Sequence, residues 1–139
     1  MHCVRQRYCT AKFKNVMTRI EQIRKEAEDI QSMLECLNDM ADINAMLGRL
    51  DQLGVYYARS GELLAEVAGM RDAAMAKLFH DEKETILSLS ASLAVKLVNS
   101  SAAELNALEK WLDRINAACK HQCDNLRTMI SFEKERIRL

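Results

Sequence analysis

The sequence has no proline, only four glycines, and few aromatic residues, at 5% of the chain. A β-sandwich, barrel or α/β domain needs turn residues every ten or so positions, so their scarcity excludes those classes. No apolar run approaches the roughly 18 residues of a membrane span, which excludes a transmembrane reading. Charge of one sign is also missing: 20 basic residues stand against 20 acidic ones. That balance argues against a dedicated phosphate-binding surface. The five cysteines, Cys3, Cys9, Cys36, Cys119 and Cys123, are odd in number and follow no disulfide framework. With no secretory leader, they point to a reducing cytoplasm.

What remains is Ala, Leu, Glu, Lys and Arg, the composition of helices. The expected fold is all-α, an elongated helical bundle with two long coiled-coil-like helices and two shorter ones. Residues 1–16 carry Arg5, Arg7, Lys12 and Lys14 and no acid. They read as a weakly ordered basic leader, either a genuine arm or an extension upstream of a start at Met17. The rest, 17–139, reads as a single domain with 16 basic and 20 acidic residues, a net charge of −4.

Four helices are expected, at about 18–37, 42–79, 82–99 and 102–138. The first has Ile20, Ile23, Ala27, Ile30, Leu34 and Leu37 at three- and four-residue steps, behind a capping box of Thr18 and Glu21. Asp39 or Asp42 can cap the second, whose apolar line runs Met46, Leu50, Leu53, Tyr57, Ser60, Leu64 and Val67. Gly54, Ala58, Gly61, Ala65 and Ala68 form a stripe of small side chains along it, where another helix could approach closely; a kink at a glycine is the alternative. Asp81 with Glu84, and Ser101 with Glu104, suggest two further capping boxes. They bracket a third helix with Ile86, Leu89, Leu93, Leu97 and Val98 on one side. The fourth carries Leu105, Leu108, Leu112, Ile115, Cys119, Gln122, Leu126 and Met129, heptad spacing held over more than three repeats.

In antiparallel order, the fourth helix would climb back along the third and overshoot it by half its length. The overshoot would bare Leu126, Met129, Ile130 and Ile137, with Trp111 and Phe132 as further contact residues. An exposed apolar face of this kind implies an interface. The expected partners are further copies of the chain, as a dimer or higher assembly, and a host or phage protein.

Catalytic, metal and cofactor roles find no carrier. Phosphate-binding, dinucleotide-binding and nucleophile-elbow motifs do not occur. Cys119 and Cys123 offer two thiols on one helix face, but tetrahedral zinc wants two more ligands. His80 and Glu84 share that spacing at an expected helix boundary, where capping accounts for them. Tyr56 and Arg59 could line a nucleotide pocket in an oligomer. Arg127, Lys134, Arg136 and Arg138, together with the basic leader, are the candidate anion or nucleic-acid contacts, although Glu133 and Glu135 interrupt the run near the end. Lys134, Arg136 and Arg138 also suit the negative end of a helix dipole.

Two segments, YYARSGELLAE (Tyr56 to Glu66) and HQCDNLRTMISFEKE (His121 to Glu135), resemble small all-helical accessory proteins of bacterial phages, prophages and mobile elements. In such proteins an LR..IS..K segment closes a long C-terminal helix; here it comprises Leu126, Arg127, Ile130, Ser131 and Lys134. The resemblance implies an accessory role, such as countering host defence by sequestering or blocking a partner, or assisting recombination through nucleic acid. A sponge for a small ligand or nucleotide is a further alternative.

Overall fold

The computed structural model describes the backbone of residues 4–36 and 42–139, and the side chains of 19–36 and 42–139. Five helices and no strand are present among the described residues: α1 (Val4–Glu35), α2 (Ile43–Asp81), α3 (Lys83–Ser88), α4 (Ala91–Ser101) and α5 (Ala103–Arg138). The all-α class expected from composition is the observed one. The chain divides into two units, Met1–Leu37 and Asn38–Leu139.

The first unit is the single helix α1, 32 residues long where about 20 were expected. It begins at Val4, so Thr18 and Glu21 lie inside it and have no helix start to cap. Ile20, Ile23, Ala27 and Ile30 follow one face of it at helical spacing. The side chains of Arg5, Arg7, Lys12 and Lys14, and the cap assigned to Asp39, lie outside the described residues.

The second unit is built on α2 and α5. Asp42 caps α2: its backbone is extended and its carboxylate accepts from the Ala45 N–H at 2.7 Å. From there α2 runs as one continuous helix for 39 residues. Three cross-helix contacts set α5 antiparallel beside it: Arg71 with Glu109, Tyr57 and Ser60 with Asn116, and Arg49 with Gln122.

The buried line of α2 is Met46, Leu53, Ser60 and Val67, with Arg49 and Leu63 beside it. Its first set recurs every seven residues and the second lies three residues further on, the two seam positions of a heptad. The small-residue stripe is not part of it. Gly54, Ala58 and Ala65 are exposed, Gly61 and Ala68 half-buried. A methyl group on Gly48, Gly54 or Gly69 would meet nothing within 4 Å. These positions need no glycine for packing within the chain.

The seam of α5 departs from the heptad. Leu108, Leu112, Ile115, Cys119, Cys123, Leu126 and Ile130 are buried, in steps of four, three, four, four, three and four. Eleven residues then make three turns, closer to the natural 3.6 of a straight helix than a heptad is. Cys123 and Ile130 therefore face inward, while Gln122 is half-buried and Met129 exposed.

The expected overshoot also changes form. Because α5 lies along α2 rather than along a long third helix, α2 accompanies it past Leu126, and in the register of Arg49 with Gln122 about ten residues of α5 extend beyond the start of α2. Leu126 and Ile130 are buried, not bare, and Trp111 is half-buried. Only Met129, Phe132 and Ile137 of the expected interface are exposed. A change such as Ile130→Asp would therefore strike the core rather than an interface.

Candidate functional site

Two places in the second unit break the rule of apolar inside and polar outside: a polar layer within the seam, and an apolar cap outside it.

The polar layer lies midway along α2 and α5. Ser60 is fully buried, and its hydroxyl donates to the Tyr57 carbonyl at 3.0 Å. Asn116 Nδ2 donates to that same carbonyl and to Ser60 Oγ, each at 3.0 Å. About three turns back along α2 and two turns on along α5, the buried Arg49 donates to Gln122 Oε1 at 3.3 Å. Between Asn116 and Gln122 on α5 lies Cys119, and Cys123 follows Gln122 directly. Among the described buried side-chain N and O atoms, none lacks a hydrogen-bond partner. Sliding α5 along α2 would strand these groups without partners, so the layer holds the register.

Burial pushes the Cys119 thiol above its ordinary range, and neighbouring Cys123 pushes it further. A hydrogen bond with Ser60 and the charge of Arg49 pull weakly the other way. A thiol held neutral and covered is a small hydrophobe, not a nucleophile. Cys36, by contrast, is exposed. Under native conditions an alkylating reagent should modify Cys36 at least about 100-fold faster than Cys119 or Cys123, as read by peptide mass spectrometry. The sign of the pH effect follows. A thiol pKa raised by folding contributes stability fully below the unfolded value of about 8.5, and loses it as pH rises through the folded value. Urea midpoints should therefore fall on moving to alkaline pH.

The apolar cap is the turn between α2 and α5, and its shape comes from three interruptions. Glu82, at φ −116° and ψ 27°, ends α2. Leu89 and Ser90 are extended, separating α3 from α4 where one helix over 82–99 was expected. The sequence here is SLSAS, and Ser88 turns its hydroxyl back onto the Thr85 carbonyl at 2.6 Å, a local bond that competes with helix continuation. Ala102 then turns the chain into α5. Neither expected capping box forms: Glu82 and Ala102 occupy the cap positions without a side-chain hydrogen bond to a backbone N–H. Ser101 bonds back to the Val98 carbonyl at 2.6 Å instead.

Helix α4, ASLAVKLVNSS, has six apolar residues among its eleven, yet none of its residues is buried. Its apolar arc, from Leu93 and Leu97 through Ala94 and Val98 to Ala91 and Val95, spans about 200° at 3.6 residues per turn. The middle of that arc, Ala94, Leu97 and Val98, is half-covered. Its two edges stay open, Leu93 at 51% and Val95 at 59% exposed. Leu87 on α3 is 68% exposed, and Phe79 near the end of α2 is 47% exposed. From Thr85 to Ala103, Lys96 is the single charged residue.

Sequence periodicity set Leu93 on the apolar side of one longer third helix and missed this surface. The available sign was width, because an apolar arc this broad is more than one flanking helix can cover.

The other expected site residues are scattered. Tyr56 is half-buried on the seam side of α2, and Arg59 pairs with Glu62 at 2.8 Å. Arg127 pairs with Asp124 at 3.0 Å and Arg136 with Glu133 at 2.8 Å, each along its own helix. Lys134 and Arg138 are exposed on the last turns. An open groove of about 270 Å³ lies beside Leu64, Arg71, Asn106 and Glu109, with Lys110 and Asp113 at its edge. Its arginine is engaged by Asp72 and Glu109. Among the described residues no three His, Cys, Asp or Glu side chains come together as metal ligands, and no helix is long and apolar enough to cross a membrane. No family model, curated protein or solved structure matches the chain.

Proposed function

We propose that this protein works by binding rather than by catalysis: a self-associating helical protein of the accessory kind carried by phages and mobile elements. In this reading it acts in the bacterial cytoplasm by sequestering or blocking a host protein. The supporting observation is α4, an amphipathic helix that buries no residue within its own chain. Monomeric proteins seldom leave contiguous apolar surface open unless something covers it.

The recombination alternative would need free cations aligned on one surface; of its candidates on α5, Arg127 and Arg136 are engaged by neighbouring acids, and the side chains of the basic leader lie outside the described residues. Sedimentation velocity on the full chain over a range of concentrations separates the two readings. The binding reading predicts a mass that rises with concentration and does not change when single- or double-stranded nucleic acid is added at low salt. Complexes with nucleic acid that form at low salt and vanish at high salt would favour the alternative.

A further inference from the structure

We infer that the apolar cap formed by the end of α2, α3 and α4 is the surface on which a second copy of this chain docks, and that the exposed end of α5 is not. The inference rests on the self-association proposed above and assigns it a place.

The argument begins with charge. A two-fold interface sets the same patch against itself, so residues near the axis meet their own copies. Any charge there meets a like charge. The stretch from Thr85 to Ala103 meets this condition, since Lys96 is its single charge in a chain that is 29% charged, and the exposed charges of the adjoining end of α2 and first turn of α3, Lys77, Asp81, Glu82, Lys83 and Glu84, are of mixed sign. Lys96 also lies on the polar arc of α4 with Ser92, Asn99 and Ser100, about 60–120° from the edges at Leu93 and Val95. Depletion of charge around an apolar centre is what distinguishes homodimer interfaces from ordinary surface.

The end of α5 fails the same condition. From Arg127 to Leu139 it carries four basic and two acidic residues around Met129, Phe132 and Ile137. Pairing that end with its own copy would oppose a net positive charge to itself. A foreign acidic surface would suit it better.

Size allows the assignment only when the polar rim is counted with the apolar centre. Burying one Leu or Val side chain removes about 60–120 Å² of apolar surface from water. The open parts of Phe79, Leu87, Leu93 and Val95, with the half-covered Leu89, Leu97 and Val98, amount to on the order of 300 Å² per copy. A specific interface needs about 500 Å² per partner. The cap supplies the apolar centre, and the serines and asparagine around it supply the rim. Other occupants fit less well. A membrane surface calls for a broad basic face, and a nucleic acid for several cations.

The test is light scattering behind a sizing column, with the full chain and three variants: Leu93→Asp, Leu87→Asp and Phe132→Asp. All three positions are exposed, and circular dichroism checks that each variant stays helical. The unaltered chain should elute at twice 15.9 kDa. Leu93→Asp and Leu87→Asp should each weaken the dimer at least tenfold, giving monomer at concentrations where the parent is paired, while Phe132→Asp should leave it intact. A dimer that survives both cap variants but is lost with Phe132→Asp would overturn the placement and leave self-association standing. A parent chain monomeric at every concentration would overturn both.

Discussion

Leu112→Ala should lower the free energy of unfolding by about 2–5 kcal/mol, the cost of deleting buried methyl groups and leaving a cavity. Leu112 is fully buried at the middle of the α5 seam, between Leu108 and Ile115. In the register set by Asn116 with Ser60 and Glu109 with Arg71, it faces α2 between Leu63 and Val67. Neither helix can close the gap without shifting the polar layer one turn away, so little relaxation is available. Urea titration followed by far-UV circular dichroism measures the change. Leu93→Ala is the matching control, the same chemistry on an open helix face. In dilute protein it should fall within about 0.5 kcal/mol of the parent. Equal costs at the two positions would mean that α4 is buried and the cap is not a surface.

The second large effect has the opposite sign. Replacing Gly48, Gly54 and Gly69 together with alanine should stabilise the protein by about 2 kcal/mol, on the order of 5–10 °C in melting temperature. All three lie inside α2, and an added methyl group meets nothing within 4 Å at any of them. Each replacement removes the backbone entropy that glycine loses on entering a helix. They are about 9 and 22 Å apart along the axis, far enough for the gains to add. Gly61 is left alone because a methyl group there would touch Asn116 Nδ2 at 3.5 Å. A calorimetric scan reads the result. A triple variant that folds more stably but no longer self-associates would show that the exposed small stripe, with Gly54 in it, admits a partner's helix after all.

Much of the fold is legible in the sequence because helices announce themselves locally. The missing prolines and the three- and four-residue steps identify α2 and α5, and Asp42 caps as its position suggests. The errors arise where a local pattern competes with tertiary context. Thr18 and Glu21 have the form of a helix start, but a capping box means nothing if the helix already began at Val4. Ser101 with Glu104 has the same form, and there the hydroxyl turns back to the preceding helix. The seam positions Cys123 and Ile130, rather than Gln122 and Met129, depend on the pitch at which two particular helices meet. A heptad template cannot show that.

The site was less legible than the fold, for a reason of length. Reading 82–99 as one helix gave α5 the wrong neighbour. The break at Leu89 and Ser90 shortens that region to a cap, α5 then lies along α2, and the bare surface moves from Leu126 and Ile130 to Leu87, Leu93 and Val95. The polar layer escaped notice because Ser60 and Cys119 were each read only within their own helix, and Asn116, which joins them, lies 56 positions from Ser60. Only the antiparallel pairing brings them together.

The central claim is that α3 and α4 form a surface covered by another protein molecule. Hydrogen exchange measured on dilute and concentrated samples of the full chain tests it most directly. The amides of 87–101 should exchange more slowly in the concentrated sample, while those of 127–139 exchange at the same rate in both. Exchange at 87–101 that does not depend on concentration, in a sample whose mass has doubled, would contradict it.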